Sequence, residues 1–190
     1  ETIKAGDYLN EQGPVEVLCR EAAELVLELD SMGVPFSREP GGLLDVRRLP
    51  GAAQPRAIFA GDITGQVILH TLYEKVIEAG ITTYDEVYAT GLLLSDSSCN
   101  GVVVTELRTG RVLSIGAKAV VLATGGLGQM YQNSTTSLSC TGDGIALAYR
   151  AGVQLMDMEM VQFHPTALAS TGVLVTEAVL GEGAQLRTSE

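Results

Sequence analysis

The sequence is poor in cysteine and in positive charge, and each shortage argues against a class of protein. Its three cysteines are far apart and have no C-x-x-C spacing, which argues against a disulfide framework or a metal site and fits a reducing compartment. Twelve Lys and Arg stand against 23 Asp and Glu, giving a net charge of −11. Because nucleic acid and anionic lipid both attract basic surfaces, we expect neither as a partner.

Long hydrophobic runs are also missing. No apolar segment approaches the roughly 18 residues of a transmembrane helix, so no direct membrane span is predicted. No signal or transit peptide is visible. Hydrophobic residues are nevertheless 46% of the 190, enough for the core of one domain or a large part of one. Since the chain starts at Glu1 without Met, we expect a piece of a longer protein.

Helical periodicity is present in two segments. The first helix is predicted to open at Gly13-Pro14, with Pro14 at the first helical position, and to end at Met32-Gly33. The second spans residues 62–79, with Asp62 or Thr64 as its N-cap. The stretches before them are predicted as a loop over 1–12 and as irregular or short-stranded chain over 39–61.

Strand patterns follow. Residues 82–94 read as a strand, Asn100-Gly101 between apolar runs indicates a hairpin turn, and Thr109-Gly110 indicates a second turn. Residues 119–123 are an unbroken apolar run, as expected of a strand covered on both faces. The sequence therefore predicts a β-meander that leads into one last buried strand.

A glycine-rich turn comes directly after that run. Thr124, Gly125 and Gly126 stand in it, and glycines in this position let the backbone approach a phosphate or a flat ring. Asp143 opens the next helix in the sequence TGDG, and a helix start is a common place to bind phosphate or ribose. A turn and a helix with no ligand explain the same residues, and this alternative stays open.

The stretch from 156 to 184 carries the side chains with most chemistry. His164 can donate to a carboxylate and is sensitive to pH near neutrality, and Thr176 offers a hydroxyl donor. Glu177 cannot attract an anion, so it would hold a cation or pass a proton. The alternative is a buried histidine that caps a turn, a strand threonine and a solvated glutamate.

Several motifs together resemble one family. QFHPT, GVLVTE and GEGA, preceded by ATGG-x-G and TGDG, resemble the flavoprotein subunit of succinate dehydrogenase and fumarate reductase. The related L-aspartate oxidases share QFHPTAL but usually place more residues between the histidine and the threonine. The twelve positions from His164 to Thr176 favour the dicarboxylate dehydrogenases, whereas Ala167-Leu168 favours the oxidases.

The resemblance implies a fold and a domain division. It implies an α/β fold: a partial Rossmann-like FAD-binding domain with an inserted β-meander, ending at the edge of a capping domain. Residues 1–160 would belong to the FAD-binding domain and 161–190 to the start of the substrate or capping region. The family's G-x-G-x-x-G fingerprint and its catalytic arginine are not in the sequence. We therefore expect an incomplete parallel sheet with an exposed edge, and marginal stability or association.

The resemblance also implies roles for particular residues. Asp143 matches an FAD contact, and the glycine turn belongs to the same site. The backbone that meets adenine would be that of Val87, Tyr88 and Ala89. His164 and Thr176 would hold a substrate carboxylate, and Glu177 would orient or relay protons. Phe36 and Leu174 would line the substrate pocket. Leu180 departs from the family, which usually has arginine there.

The implied function is FAD-dependent interconversion of succinate and fumarate. The implied partners are a dicarboxylate, an iron–sulfur subunit and, through it, a membrane anchor. The implied place is cytoplasmic and peripheral on the inner face of the membrane, or the matrix side in a mitochondrion. L-aspartate oxidase, and a non-catalytic fragment without flavin, remain as alternatives.

Overall fold

A computed structural model of the chain describes residues 1–49, 52–96, 98–164, 166–168, 171–175, 179, 183–185 and 187. The chain divides into two compact units, residues 1–82 with 177–190, and residues 83–176. The boundary predicted between residues 160 and 161 separates the FAD-binding domain from the capping region. It concerns function and not compactness, and it stays a prediction. Within the described ranges, no helix is long and apolar enough to cross a membrane.

The first unit is mainly helical. Its elements are α1 (Thr2–Ala5), α2 (Gln12–Ser31), β1 (Val46–Arg47), β2 (Ala57–Ile58) and α3 (Thr64–Glu78). The two short strands pair antiparallel, which agrees with the short-stranded chain predicted for residues 39–61. The loop predicted at the amino terminus is wrong in part, because α1 is helical.

Both predicted long helices are present, but their starts differ from the prediction. Pro14 is the third residue of α2 rather than the first; it is tolerated there because the first-turn N–H groups have no acceptor within the helix. The N-cap of α3 is Ile63, without a side-chain cap. Neither Asp62 nor Thr64 is the cap: Thr64 is the first residue of the helix, and its Oγ1 accepts a hydrogen bond of 3.0 Å from the Ala60 N–H. Gly33, at φ 105°, follows the end of α2 as predicted.

The second unit contains the predicted meander. Strands β3 (Val87–Ser95), β4 (Ser98–Glu106) and β5 (Val112–Gly116) pair antiparallel in that order. A short 3-10 helix at Gly128–Met130 and helix α4 (Asp143–Arg150) follow. Gly152, at φ 84°, follows the end of α4 as predicted.

The first hairpin turn lies earlier than predicted. Ser95 pairs with Ser98, so the chain reverses there, and Asp96 adopts a left-handed φ of 49°. Gly101 lies inside β4 at φ 146°, and a Cβ on it would overlap the Ile115 carbonyl oxygen of β5. The glycine therefore serves the close approach of two strands and not a turn.

The buried strand predicted at residues 119–123 is not observed. None of the described strands pairs with this run, and Val121 is 88% exposed. An apolar run becomes a strand only when a neighbour completes its hydrogen bonds. All ladders between the described strands are antiparallel, so the predicted parallel sheet is not formed by these residues.

The core of each unit is small. Among the described residues, the buried apolar ones are Val34, Phe36 and Ala60 in the first unit, and Val104 and Leu147 in the second. Many large apolar side chains of the described residues are exposed, for example Val121 at 88% and Leu138 at 86%. The expectation of marginal stability or association stays a prediction.

Candidate flavin and carboxylate sites

The three segments predicted to bind the flavin nucleotide come together in the second unit. The Gly142 N–H donates to the Gly126 carbonyl at 3.1 Å, and the Gln129 N–H donates to the Cys140 carbonyl at 3.0 Å. These two bonds tie the glycine turn to the residues that open α4. Helix α4 also packs against β3, which begins at Val87.

A close side-chain contact explains one glycine of this cluster, and a left-handed backbone explains another. Gly144 is buried at the start of α4, and Thr124 Oγ1 occupies the place that a Cβ on it would take. Gly142 caps the helix at φ 80°, where a side chain would be strained. No larger residue fits at position 144 without moving the glycine turn.

The outer face of the turn is open. Gly125 has a φ of 73°, and nothing lies within 4 Å of the place where a Cβ on Gly126 would stand. Bare backbone with free space beside it can approach a phosphate or a flat ring closely. The residues present therefore fit a nucleotide cofactor such as FAD.

Asp143 is held at the first position of α4. The Thr141 hydroxyl donates to its carboxylate, and a negative charge at a helix start is favourable. Hydrogen bonding with Asp143 raises the pKa of Tyr88 above its ordinary value, desolvation and the Asp143 charge add to the rise, and Arg150 opposes it. The Tyr88 phenol, which is 42% exposed, therefore lies near the Asp143 carboxylate.

His164 belongs to a small hairpin at the end of the second unit. The Thr166 hydroxyl donates to the Val175 carbonyl at 2.9 Å, and the Val175 N–H donates to the Thr166 carbonyl at 3.1 Å. His164 Nδ1 lies 2.9 Å from the Thr166 carbonyl oxygen and 3.2 Å from the Thr166 nitrogen. These contacts leave Nε2 as the ring nitrogen available to a ligand.

His164 faces a cavity of about 590 Å³ within the second unit. The cavity lies between residues 128–136 and 161–172, and the rings of Tyr131 and Phe163 meet edge to face at 5.1 Å in its wall. Of its described lining residues, only His164 can carry a positive charge. A carboxylate in this cavity would therefore depend on His164 and on neutral donors.

The other predicted site residues are placed as follows. Val87 and Ala89 are half-buried in β3, where they pair with Glu106 and Val104. Leu174 is exposed and bridges to Ala167. Phe36 is buried, at 6% exposure, in the first unit.

Thr176, Glu177, Leu180 and Glu182 lie outside the described residues. Sequence reasoning missed Thr141, Gly144 and Thr166. All three stand inside the motifs TGDG and HPT, and motif membership was the only available signal.

A glycine turn hydrogen-bonded to the start of a helix that begins with Asp143, beside a strand, is typical of a nucleotide-cofactor-binding domain. The sequence matches the family described as FAD binding domain over residues 1–190. The chain belongs to this family. The predicted fold class and cofactor, an FAD-binding domain of α/β type, are thereby confirmed.

The individual relatives agree with the resemblance in the motifs. The chain is 44% identical over 187 residues to the fumarate reductase flavoprotein subunit of Mycobacterium tuberculosis, covering 98% of this chain and 32% of that protein. It is 43% identical over 194 residues to the succinate dehydrogenase flavoprotein subunit of Rickettsia felis, covering 98% and 33%.

Among solved structures, a mutant of E. coli quinol fumarate reductase matches with a TM-score of 0.92 and 39% identity, over 96% of this chain and 31% of that one. The chain thus spans about a third of the length of these relatives.

Proposed function

We propose that the chain is the FAD-binding part of a flavoprotein that interconverts succinate and fumarate. The observation that carries the proposal is the match along nearly the whole chain to flavoprotein subunits named for these two reactions. The relatives are about three times longer, so the activity is proposed for a protein that contains this chain and the segments that complete it.

FAD would bind at the glycine turn and the start of α4. Thr124, Gly125 and Gly126 would present open backbone to it, and Asp143 would contact it from the helix start. The β3 backbone at residues 87–89 would meet the adenine. When bound, FAD supplies the redox chemistry, and the protein supplies position and electrostatics.

His164 would donate from Nε2 to one carboxylate of the substrate. The Thr166 backbone can hold the ring in either form that keeps a proton on Nε2. Its carbonyl can accept from a protonated Nδ1, and its N–H can donate to an unprotonated Nδ1. A carboxylate held by directed donors is oriented for reaction.

The remaining predicted residues complete the proposed site. The Thr176 hydroxyl would be a second donor to the carboxylate, and Glu177 would orient the substrate or pass a proton. By motif position Phe36 and Leu174 would contribute apolar surface to substrate binding, but neither lines the described cavity beside His164. These roles come from the family's motif positions.

L-aspartate oxidase is a second candidate because of Ala167-Leu168 after the HPT motif. It would use the same flavin and the same histidine with an amino-acid substrate. Activity of the full-length protein with aspartate, and none with succinate, would establish this candidate and exclude the first.

The electron-transfer partner would be an iron–sulfur subunit, itself bound to a membrane anchor on the inner face of the membrane. One relative is named 8-methylmenaquinol:fumarate reductase flavoprotein subunit, and one similar structure is a quinol–fumarate reductase with menaquinol. The three cysteines of this chain fall short of the four thiolates that a cluster typically takes. A cluster would therefore not be held by these residues alone, and we propose that an iron–sulfur subunit carries it.

The test is His164→Ala in the full-length flavoprotein. A charge-assisted hydrogen bond contributes about 1.5–3 kcal/mol, so we expect kcat/KM for succinate to fall by more than tenfold with flavin content unchanged. His70→Ala is the matched control, because His70 is the other histidine and is exposed on α3. Unchanged succinate oxidation in His164→Ala would refute the assignment.

A further inference from the structure

Thr166 is a buried polar residue with exposed neighbours on its C-terminal side. Its side chain is 8% exposed, while Ala167 and Leu168 beside it are exposed. A buried hydroxyl requires a partner, and the Val175 carbonyl at 2.9 Å is that partner. The hydroxyl has one proton and donates it there, so it has none left for a substrate carboxylate.

The same residue holds His164. Both backbone polar atoms of Thr166 lie within hydrogen-bond distance of His164 Nδ1, at 2.9 and 3.2 Å. A shift of the Thr166 peptide would therefore turn the imidazole and redirect Nε2. The position of the ring depends on where Thr166 is fixed.

The hydroxyl of Thr166 fixes it to the opposite side of the hairpin. The carbonyl of Val175 belongs to the peptide bond that leads to Thr176, so one side chain links the histidine segment to the chain that carries the second proposed donor. Threonine suits this task because its branched Cβ restricts χ1. A methyl group in place of the hydroxyl would fill the space but lose the link.

We infer that Thr166 is a positioning residue, which sets the place of His164 relative to the chain at residue 175 and thereby the affinity for a dicarboxylate. The inference rests on the proposed function, since it assigns the geometry of the same carboxylate site. In this inference Thr166, the threonine of HPT, positions His164 and does not itself contact the substrate.

The experiment compares Thr166→Val with Thr166→Ser in the full-length, flavin-loaded protein. Fumarate is added to the oxidised enzyme, a pair that cannot react, and binding is followed by the change in flavin absorbance. We expect Thr166→Val to raise the dissociation constant of fumarate at least fivefold, with flavin content unchanged. In a separate turnover assay, the KM for the dicarboxylate should rise by the same factor. Thr166→Ser, which keeps the hydroxyl, should return both to within about twofold of the native values.

Thr90→Val is the matched control. The Thr90 hydroxyl also donates to a carbonyl across a hairpin, that of Val103 at 3.2 Å, but it is exposed in the meander. We expect its loss to leave fumarate binding unchanged. Native affinity in Thr166→Val would overturn the inference, and so would equal losses in the valine and serine variants.

The His164→Ala background separates this inference from the proposed function. If Thr166 acts through the imidazole, adding Thr166→Val to His164→Ala should weaken fumarate binding by less than twofold further. Multiplied losses would mean that Thr166 acts independently, which overturns the inference. Full fumarate affinity in His164→Ala alone would instead refute the proposed function.

Discussion

The two proposed sites of the second unit are built by opposite means. The glycine turn and the start of α4 are joined by backbone hydrogen bonds. They can approach closely because Gly144 has no side chain where it contacts Thr124. The His164 hairpin is fixed by a side chain that is present, the hydroxyl of Thr166. The first arrangement leaves no room for a side chain at Gly144, whereas the second can be adjusted by changing one group. A cofactor site that is fixed and a substrate site that is tunable would follow from this difference.

The largest effect is expected from Gly144→Ala. Its Cβ would overlap Thr124 Oγ1, so the glycine turn would have to move away from α4, although alanine itself favours a helix. We expect at least tenfold weaker FAD binding, measured as flavin absorbance per chain in the full-length protein.

Gly65→Ala is the control for Gly144→Ala. Gly65 is also helical, in α3, and has free space around it, so its substitution should leave flavin content unchanged. Native flavin content in Gly144→Ala would show that the close contact with Thr124 does not build the site.

A smaller effect, on stability alone, is expected from Gly101→Ala. The new Cβ would meet the Ile115 carbonyl, at a φ of 146° that is strained for alanine. We expect a loss of about 1–3 kcal/mol in the free energy of unfolding, measured by denaturant titration, with unchanged FAD affinity in the folded fraction.

Gly116→Ala in β5 is the comparison for Gly101→Ala, because the nearest atom to its Cβ would be 4.0 Å away. It should be much less destabilising. Equal losses in the two variants would mean that strand propensity, and not the contact with Ile115, decides the result.

The smallest effect is expected from Tyr88→Phe. The pKa of Tyr88 is raised in the folded state above 10.0, so the phenol stabilises the fold below pH 10 and this contribution is lost as the pH rises through the folded value. The melting temperature of Tyr88→Phe should be slightly below native at pH 8, and the difference should vanish in more alkaline solution.

Tyr149→Phe is the control for Tyr88→Phe, because this tyrosine is 68% exposed on α4. It should match the native protein at both pH values. A Tyr88→Phe difference that persists unchanged to high pH would refute the pairing with Asp143.

Local patterns in the sequence predicted local structure well. The long helices and the meander follow from periodicity and turn residues within short windows. The run at 119–123 was predicted wrongly because strand formation depends on a partner distant in sequence. Gly101 was assigned to a turn because a glycine after asparagine fits both a hairpin and a close strand approach, and only the position of Ile115 decides between them.

The candidate sites were predictable as motifs but not as geometry. Asp143 and His164 were predicted as site residues from TGDG and HPT, and these roles stay predictions. The partners that fix them, Thr141 and Thr166, depend on which donor reaches which acceptor after folding. No spacing rule in the sequence specifies that the Thr166 hydroxyl meets the Val175 carbonyl.

The meander and the apolar run that follows it differ in when they can find strand partners during synthesis of the chain. All three strands of the meander find their partners between residues 87 and 116, so it can fold as soon as that stretch has left the ribosome. Residues 119–123 emerge next, strand-prone and unpaired, with Lys118 as the charge that precedes them. Until a partner strand covers that run, its apolar side chains are exposed, and a flanking charge such as Lys118 disfavours self-association of an apolar segment.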